Sequence, residues 1–551
     1  MRLRVAAVTA LSVLALALAG VAGAAGWSSS VPFSNDVVSS PTTGGGFPDP
    51  TGAPQPGTCT SGNFNSNRSE SWLAVEPGTE DLVGTSKFFF DRYSTFYNFY
   101  LGAYSLPKGK AGSNVQIPGY DCVSTGTQAM PPTWTNNTDP NVAFDTKGRA
   151  YQVTLPFNAY WTNLHPNGAI GAVYSDDLGK TWHLGNGGNY LEFLNNQSSF
   201  SFGDFQDKQW VAVDDVPTSP YVDHVYAAWA VFVGNAVHVH VAVSRDRGKT
   251  FSAPVDITMP NQTGPSVTYV YPSVDAAGDL YLAVAAFGQA SGSVDADIYV
   301  TRSTDDGRTF SPFSFVAHAT GNPGDFVNGN FRDGILESFA ASQTYAGRLY
   351  VAYESWQPDA SLPGGGQMDV KLAESQGGLI WADRGVVNDA SNSSTTDQFQ
   401  PEVATGPSGA VAVAFYDRRG TCPNDAGVLP QDVGAANTCI DVSLQAYKES
   451  ASGLAAKVGG NVRISKYAWD ASNPAQHIGG LGQMACSGVD DPCSESFIGD
   501  YFGLAISAKN VYTLSVSTHY PSGVTADEGG PVYYQQQVLA TVPRNGFGSG
   551  Y

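Results

Sequence analysis

The chain has 551 residues, with 28 Lys and Arg against 49 Asp and Glu, a formal net charge of −21, and charged residues make up only 14% of it. Gly (62) and Pro (33) are abundant and 12% of residues are aromatic, the composition of many short strands and turns, which excludes a coiled coil; a hydrophobic content of 42% excludes a disordered chain. So acidic a surface repels nucleic acid and anionic membranes, and no nucleic-acid partner is expected.

At the start of the chain, Arg2 and Arg4 precede an apolar run from 5 to 19 that ends in Ala22-Gly23-Ala24. This pattern predicts a signal peptide over residues 1–24 and a secreted product, extracellular or at the cell surface. The alternative, a retained anchor, needs about 20 apolar residues and the run is shorter; no other stretch predicts a transmembrane segment. Residues 25–62 are Ser/Gly/Pro-rich and read as a flexible N-terminal segment.

From 63 to 545 one unit recurs. Opening strands stand at 72–76, 141–145, 210–214, 273–277, 337–341, 402–406 and 503–507. Second strands, several with a Tyr at their second position, follow at 150–154, 225–229, 280–284, 349–353, 411–415 and 511–515. No helical periodicity of useful length appears. A four-stranded antiparallel sheet cannot bury both faces alone, so copies at this spacing stack radially. The fold expected is an all-β, single-domain β-propeller with seven blades, or six if the first or last copy is only an edge addition.

Export gives the six cysteines a meaning, because thiols pair in an oxidising compartment. Proximity suggests Cys422 with Cys439 and Cys486 with Cys493, leaving Cys59 with Cys122 by elimination; other connectivities stay open. The close pairs fall in a segment of about 420–495 that reads as a disulfide-pinned loop insertion, each bridge constraining a surface loop. Asn67, Asn136, Asn196, Asn261 and Asn392 head Asn-x-Ser/Thr sequons, which matter only in a glycosylating host.

Three copies share a sharper signature with Ser, Asp, Gly, Thr and an aromatic residue at fixed spacing: Ser175, Asp177, Gly179, Thr181, Trp182; Ser244, Asp246, Gly248, Thr250, Phe251; and Ser303, Asp305, Gly307, Thr309, Phe310. A fourth, Ser375 to Trp381, is one residue short and lacks the Asp. The residue types suit a strand reversal: Asp accepts backbone N–H groups, Gly supplies φ > 0, and the ring plugs the space between strands.

These turns resemble the Asp boxes, or BNR repeats, of the sialidase (neuraminidase) superfamily. The resemblance implies a sialidase-like propeller and an exo-glycoside hydrolase acting on glycans. It implies an arginine clamp for the sugar carboxylate, a Tyr nucleophile paired with a Glu, and an Asp acid/base. The chain has no Arg-Ile-Pro, the motif that carries the first arginine in true sialidases. Chain order therefore assigns the roles: Arg68, Arg92, Arg332 and Arg418 for the clamp, Asp91 as acid/base, and Glu354 taking the proton of Tyr501. A non-catalytic glycan- or protein-binding propeller and a structural cell-surface protein are the alternatives. Self-association is left open.

In a propeller the residues just before each innermost strand ring one mouth of the channel. Here they are Arg68 with Glu70, Asp139, Asp207 with Lys208, Tyr271, Arg332 with Asp333, Gln400 with Glu402, and Asp500 with Tyr501. Such an acidic funnel suits a carbohydrate or glycoprotein ligand; no cofactor is required, and the funnel could admit a hard cation such as calcium. His238 and His240 share one strand face, a spacing metals use, with no third ligand nearby, so a solvated face is the reading for them. Asp417, Arg418 and Arg419 read either as site groups or as an ion pair fixing a loop.

Overall fold

The computed structural model describes residues 26–39, 67–89, 99–117, 136–157, 168–194, 204–288, 295–324, 326–329, 331–333, 337–390, 396–422, 437–471, 481–483, 485–486, 496–520 and 532–551. Seven antiparallel sheets follow one another around a closed ring. Their inner strands are Arg68–Val75, Ala143–Phe144 with Asn136–Thr138, Phe205–Val213, Val267–Val274, Glu337–Ala341, Gln398–Gly406 and Gly503–Ile506. Each contacts the next, and the seventh contacts the first. The seventh blade is completed by Ser34–Val37, which pairs antiparallel with Gln536–Pro543 as its outer strand, so part of the segment expected to be a loose arm closes the ring. Ahead of it, Trp27 donates from Nε1 to Ser443 Oγ (2.6 Å), strapping the same segment to blade six.

The fourth inner strand ends at Val274, three residues before 277, where the sequence placed its end. Asp275 instead caps the following turn, accepting Ala277 N–H (2.9 Å) and Asp279 N–H (3.1 Å). The segment around 420–495 is likewise more than loops, because Cys439–Ser450 and Gly453–Arg463 are the two outer strands of blade six. The Cys422–Cys439 bridge is closed and both cysteines are buried with Ala468; the loop it was expected to constrain, 423–436, lies outside the described residues. Cys59, Cys122 and Cys493 lie outside the described residues, as do the side-chain surroundings of Cys486. Asn67 and Asn136 are fully buried, Asn261 is exposed, and Asn196 and Asn392 lie outside the described residues.

The apolar core lies between neighbouring sheets. One cluster joins blades one and two, another blades three and four, another blades five and six. The tyrosines of the second strands bury their rings here and place each hydroxyl on a carboxylate: Tyr151 on Asp145 (2.7 Å), Tyr226 on Asp306 (3.2 Å), Tyr350 on Glu449 (3.0 Å) and Tyr512 on Glu80 (2.8 Å).

The Asp boxes connect third to fourth strands in blades two, three and four. In the first, Asp177 accepts from Ser175 Oγ, Lys180 N, Thr181 N and Thr181 Oγ1 at 2.7 to 3.1 Å. Its glycine has φ +74°, and a Cβ there would stand 3.0 Å from Val83 of blade one. Gly248 meets Tyr151 of blade two and Gly307 meets Val243 of blade three in the same way. The box is therefore an inter-blade contact as well as a turn.

Candidate active site at the channel mouth

The inner strands carry a repeated distortion. Their register slips at Glu70, Lys208, Tyr269 and Gln400, each a non-glycine residue with φ between +44° and +53°. Asp139, with φ +56°, holds the corresponding place in blade two. A bulge of this kind re-aims side chains, and the left-handed conformation costs about 1–3 kcal/mol each time. What results is a ring of polar side chains at one end of the channel.

Asp500, from blade seven, is the hub of this ring. Its carboxylate takes Lys208 Nζ at 3.0 Å and the fork of Arg332, whose Nε stands 3.0 Å from Oδ1 and whose Nη2 reaches both oxygens. Burial opposes ionisation here, but the Arg332 and Lys208 charges outweigh it and hold Asp500 far below the usual carboxylate range. Lys87 pairs with Glu70 at 2.5 Å; burial nonetheless raises Glu70 to about 7.

Two carboxyl pairs flank the hub. In the first, half-buried Asp207 shares a hydrogen bond with buried Asp139, and the Lys208 N–H donates to both, at 2.9 and 3.2 Å. Burial raises Asp207 to about 6; Lys208 pulls it down, while the Asp139 charge and hydrogen bond push it up. For Asp139, the cations Lys208 and Lys87 overcome burial and keep the carboxyl below its ordinary value. In the second pair, fully buried Glu354 hydrogen-bonds half-buried Asp333 and accepts the Gln400 N–H at 2.8 Å. Burial, then the Asp333 charge, drive Glu354 well above its ordinary value. Burial thus acts most on the half-buried member of one pair and on the buried member of the other.

The sequence-assigned residues are distributed differently from the expectation. Glu354 and Tyr501 do not form a pair, because Tyr501 donates to the Pro140 carbonyl (3.1 Å) and packs edge-on against Trp210. Burial raises its hydroxyl well above the ordinary value, with Glu70 and Asp139 adding to the effect, so it stays a phenol. Arg332 is in the mouth, on Asp500. Arg68 lies buried with its guanidinium 3.7 Å from the Phe88 ring centre. Arg418 is sealed against Asp397 (3.3 Å) and the Asn437 carbonyl (2.6 Å), and burial lowers it to about 10. Arg419 pairs with Asp417 (2.7 Å), the loop-fixing ion pair. Asp91 and Arg92 lie outside the described residues. His238 and His240 are bonded separately to Asp256 (2.8 Å) and Glu192 (2.9 Å), and among the described residues no three His, Cys, Asp or Glu side chains gather as a metal site. Sequence reasoning placed Asp139, Asp207, Asp333 and Asp500 at the mouth but missed their pairing, which the bulges create.

Below the mouth, Trp72, Trp210, Tyr271 and Tyr501 pack edge to face, with ring centres 4.8 to 6.2 Å apart, and plug the channel. Beyond the plug the channel widens to a cavity of about 490 Å³ lined by all seven inner strands. Each strand contributes a small residue to its wall: Ala74, Ala143, Ala212, Ser273, Ala340, Ala404 and Ala505.

A family model for the BNR/Asp-box repeat matches residues 173–184, the turn of blade two. No curated protein sequence matches the chain. Among solved structures it is similar to a Hadza microbial sialidase, at 12% identity and TM-score 0.39 over 84% of this chain and 76% of that one. It is similar also to the α-L-arabinofuranosidase of Fusarium graminearum, at 13% and 0.37 over 78% and 98%. A third is polysaccharide lyase Uly1, at 10% and 0.42 over 93% and 97%. The chain is a seven-bladed β-propeller that carries Asp-box repeats.

Proposed function

We propose that the chain is an exported glycan hydrolase that acts on neutral sugars at the charged mouth of its channel. The observation that carries this reading is the meeting of two carboxyl pairs at the mouth, Asp207 on Asp139 with the Lys208 N–H shared between them and Asp333 on Glu354. Glycoside cleavage needs one carboxylic acid to protonate the leaving oxygen and one carboxylate to attack the anomeric carbon or activate water. Asp207, half-buried and raised to about 6, is the acid. Asp333, half-buried and hydrogen-bonded to the fully buried Glu354, is the carboxylate. Asp139 and Glu354 touch no substrate; they position and tune these two.

A neutral sugar is favoured over sialic acid because no described arginine of the expected clamp is offered to a substrate carboxylate. Arg332 already forks onto Asp500, Arg418 is sealed at Asp397, and Arg68 lies against Phe88. Export rests on the N-terminal Arg2/Arg4 and apolar run, and on the closed Cys422–Cys439 bridge.

The test is release of the aryl group from a panel of neutral aryl glycosides and sialosides. Turnover of a neutral glycoside is expected, with kcat at least 100-fold lower in both Asp207→Asn and Asp333→Asn and thermal midpoints unchanged. Turnover of sialosides would restore the arginine-clamp mechanism. Glycan binding without turnover of any substrate would make the propeller a binding module.

A further inference from the structure

The cavity on the far side of the aromatic plug is separate from the charged mouth, and its lining differs in kind. Its walls join the small residues of the seven inner strands and Val and Leu side chains to polar groups of Thr79, Ser273, Gln343, Thr405 and Ser507, and its inner end is closed by Trp72, Trp210 and Tyr271. Its rim is formed by exposed turn residues, among them Gly78, Pro217 and Pro407. Of all the lining residues one is charged, Asp215. It stands half-buried just past the end of the third inner strand, and among the described residues no Lys, Arg or His pairs with it.

These features define the ligand chemically. A volume of about 490 Å³ is within the range of small-molecule sites. The Ala, Val and Leu stretches of the wall favour a hydrocarbon body, and aromatic faces at the inner end add attraction for it. An unpaired carboxylate at the rim favours a cationic head that can donate hydrogen bonds. Trp210 and Asp215 lie five residues apart along one chain, about 16 Å if extended, so body and head must be linked end to end.

We infer that this cavity binds an amphiphilic primary amine, its apolar body in the channel against the aromatic plug and its ammonium group on Asp215. The site is distinct from the proposed hydrolytic one and does not depend on it.

Octylamine, octanoate and octanol are titrated into the purified protein, with calorimetry and the fluorescence of Trp72 and Trp210 as readouts. The expected order is octylamine above octanol above octanoate, with octylamine favoured over octanol at least about tenfold, the worth of one charge-assisted hydrogen bond. Asp215→Asn should remove that preference and leave octanol binding as it was, which separates the site from general attraction to an acidic surface. Ala143→Leu, which fills the half-exposed channel wall, should weaken octylamine and octanol alike. The inference is overturned if octylamine does not saturate, if octanoate binds as well, or if Asp215→Asn keeps the preference.

Discussion

Replacing the glycine of the first Asp box with alanine tests the idea that the box locks blade to blade. Gly179 has φ +74°, a conformation that costs an L-residue about 1–2 kcal/mol. The added Cβ would also stand 3.0 and 3.2 Å from the two methyl carbons of Val83, fully buried in blade one, and such overpacking costs about 1–3 kcal/mol. The total for Gly179→Ala is about 2–5 kcal/mol. Gly234 is the control: its φ is +60°, but nothing lies within 4 Å of its Cβ position, so Gly234→Ala should cost only the conformational share, about 1–2 kcal/mol. Urea denaturation followed by tryptophan fluorescence measures both, provided the slope of free energy with urea is unchanged. In a Val83→Ala background the crowding disappears, so Gly179→Ala should fall to the cost of the control, a coupling of at least about 1 kcal/mol. Equal costs for the two glycines, or strict additivity with Val83→Ala, would refute the inter-blade role.

Burial raises Glu337 well above its ordinary value of 4.5, and neither of its carboxyl oxygens has a hydrogen-bond partner among the described residues. A folded-state value above the unfolded one gives stability that is complete below the unfolded value and is lost as pH rises through the folded one. The protein should therefore weaken as pH rises above about 4.5, and Glu337→Gln should flatten that decline and be the more stable form at the alkaline end, as followed by urea midpoints across pH. Asp500→Asn removes the carboxylate shared by Lys208 and Arg332 and should cost about 3–5 kcal/mol, because it leaves buried positive charge uncompensated; a cost under about 1 kcal/mol would mean that Glu70 and Asp139 already carry the compensation.

The ring of blades was legible because its signals are local. An alternating strand, an Asp that caps its own turn and a tyrosine at a fixed offset all read within ten or so residues, which is why the three Asp boxes form the bonds their residue types predict. The slipped frame at Val274 shows the limit of such reading, since Asp275 looks like strand continuation until its backbone contacts are seen. The mouth was legible as a set of positions but not as chemistry. Glu70, Lys208, Tyr269 and Gln400 have no turn preference that would announce a left-handed bulge, yet those bulges decide which carboxyls meet. Arg418 makes the same point from the other side: its charge suggested a ligand clamp, while its partner, Asp397, comes from the adjoining strand region and closes it off.

The outer strand of the seventh blade has a consequence for how the molecule is made. Ser34–Val37 is synthesised before any of the seven inner strands, and its partner Gln536–Pro543 after all of them. While the strands between them are made this edge has nothing to pair with, and six blades must wait, open-ended, for the seventh. Completion of the seventh blade therefore comes as a late event that joins segments from the two sides of the whole blade array. A chain halted before residue 503 would lack the inner strand that meets both the sixth and the first blade, and one halted before 536 would leave Ser34–Val37 without its partner.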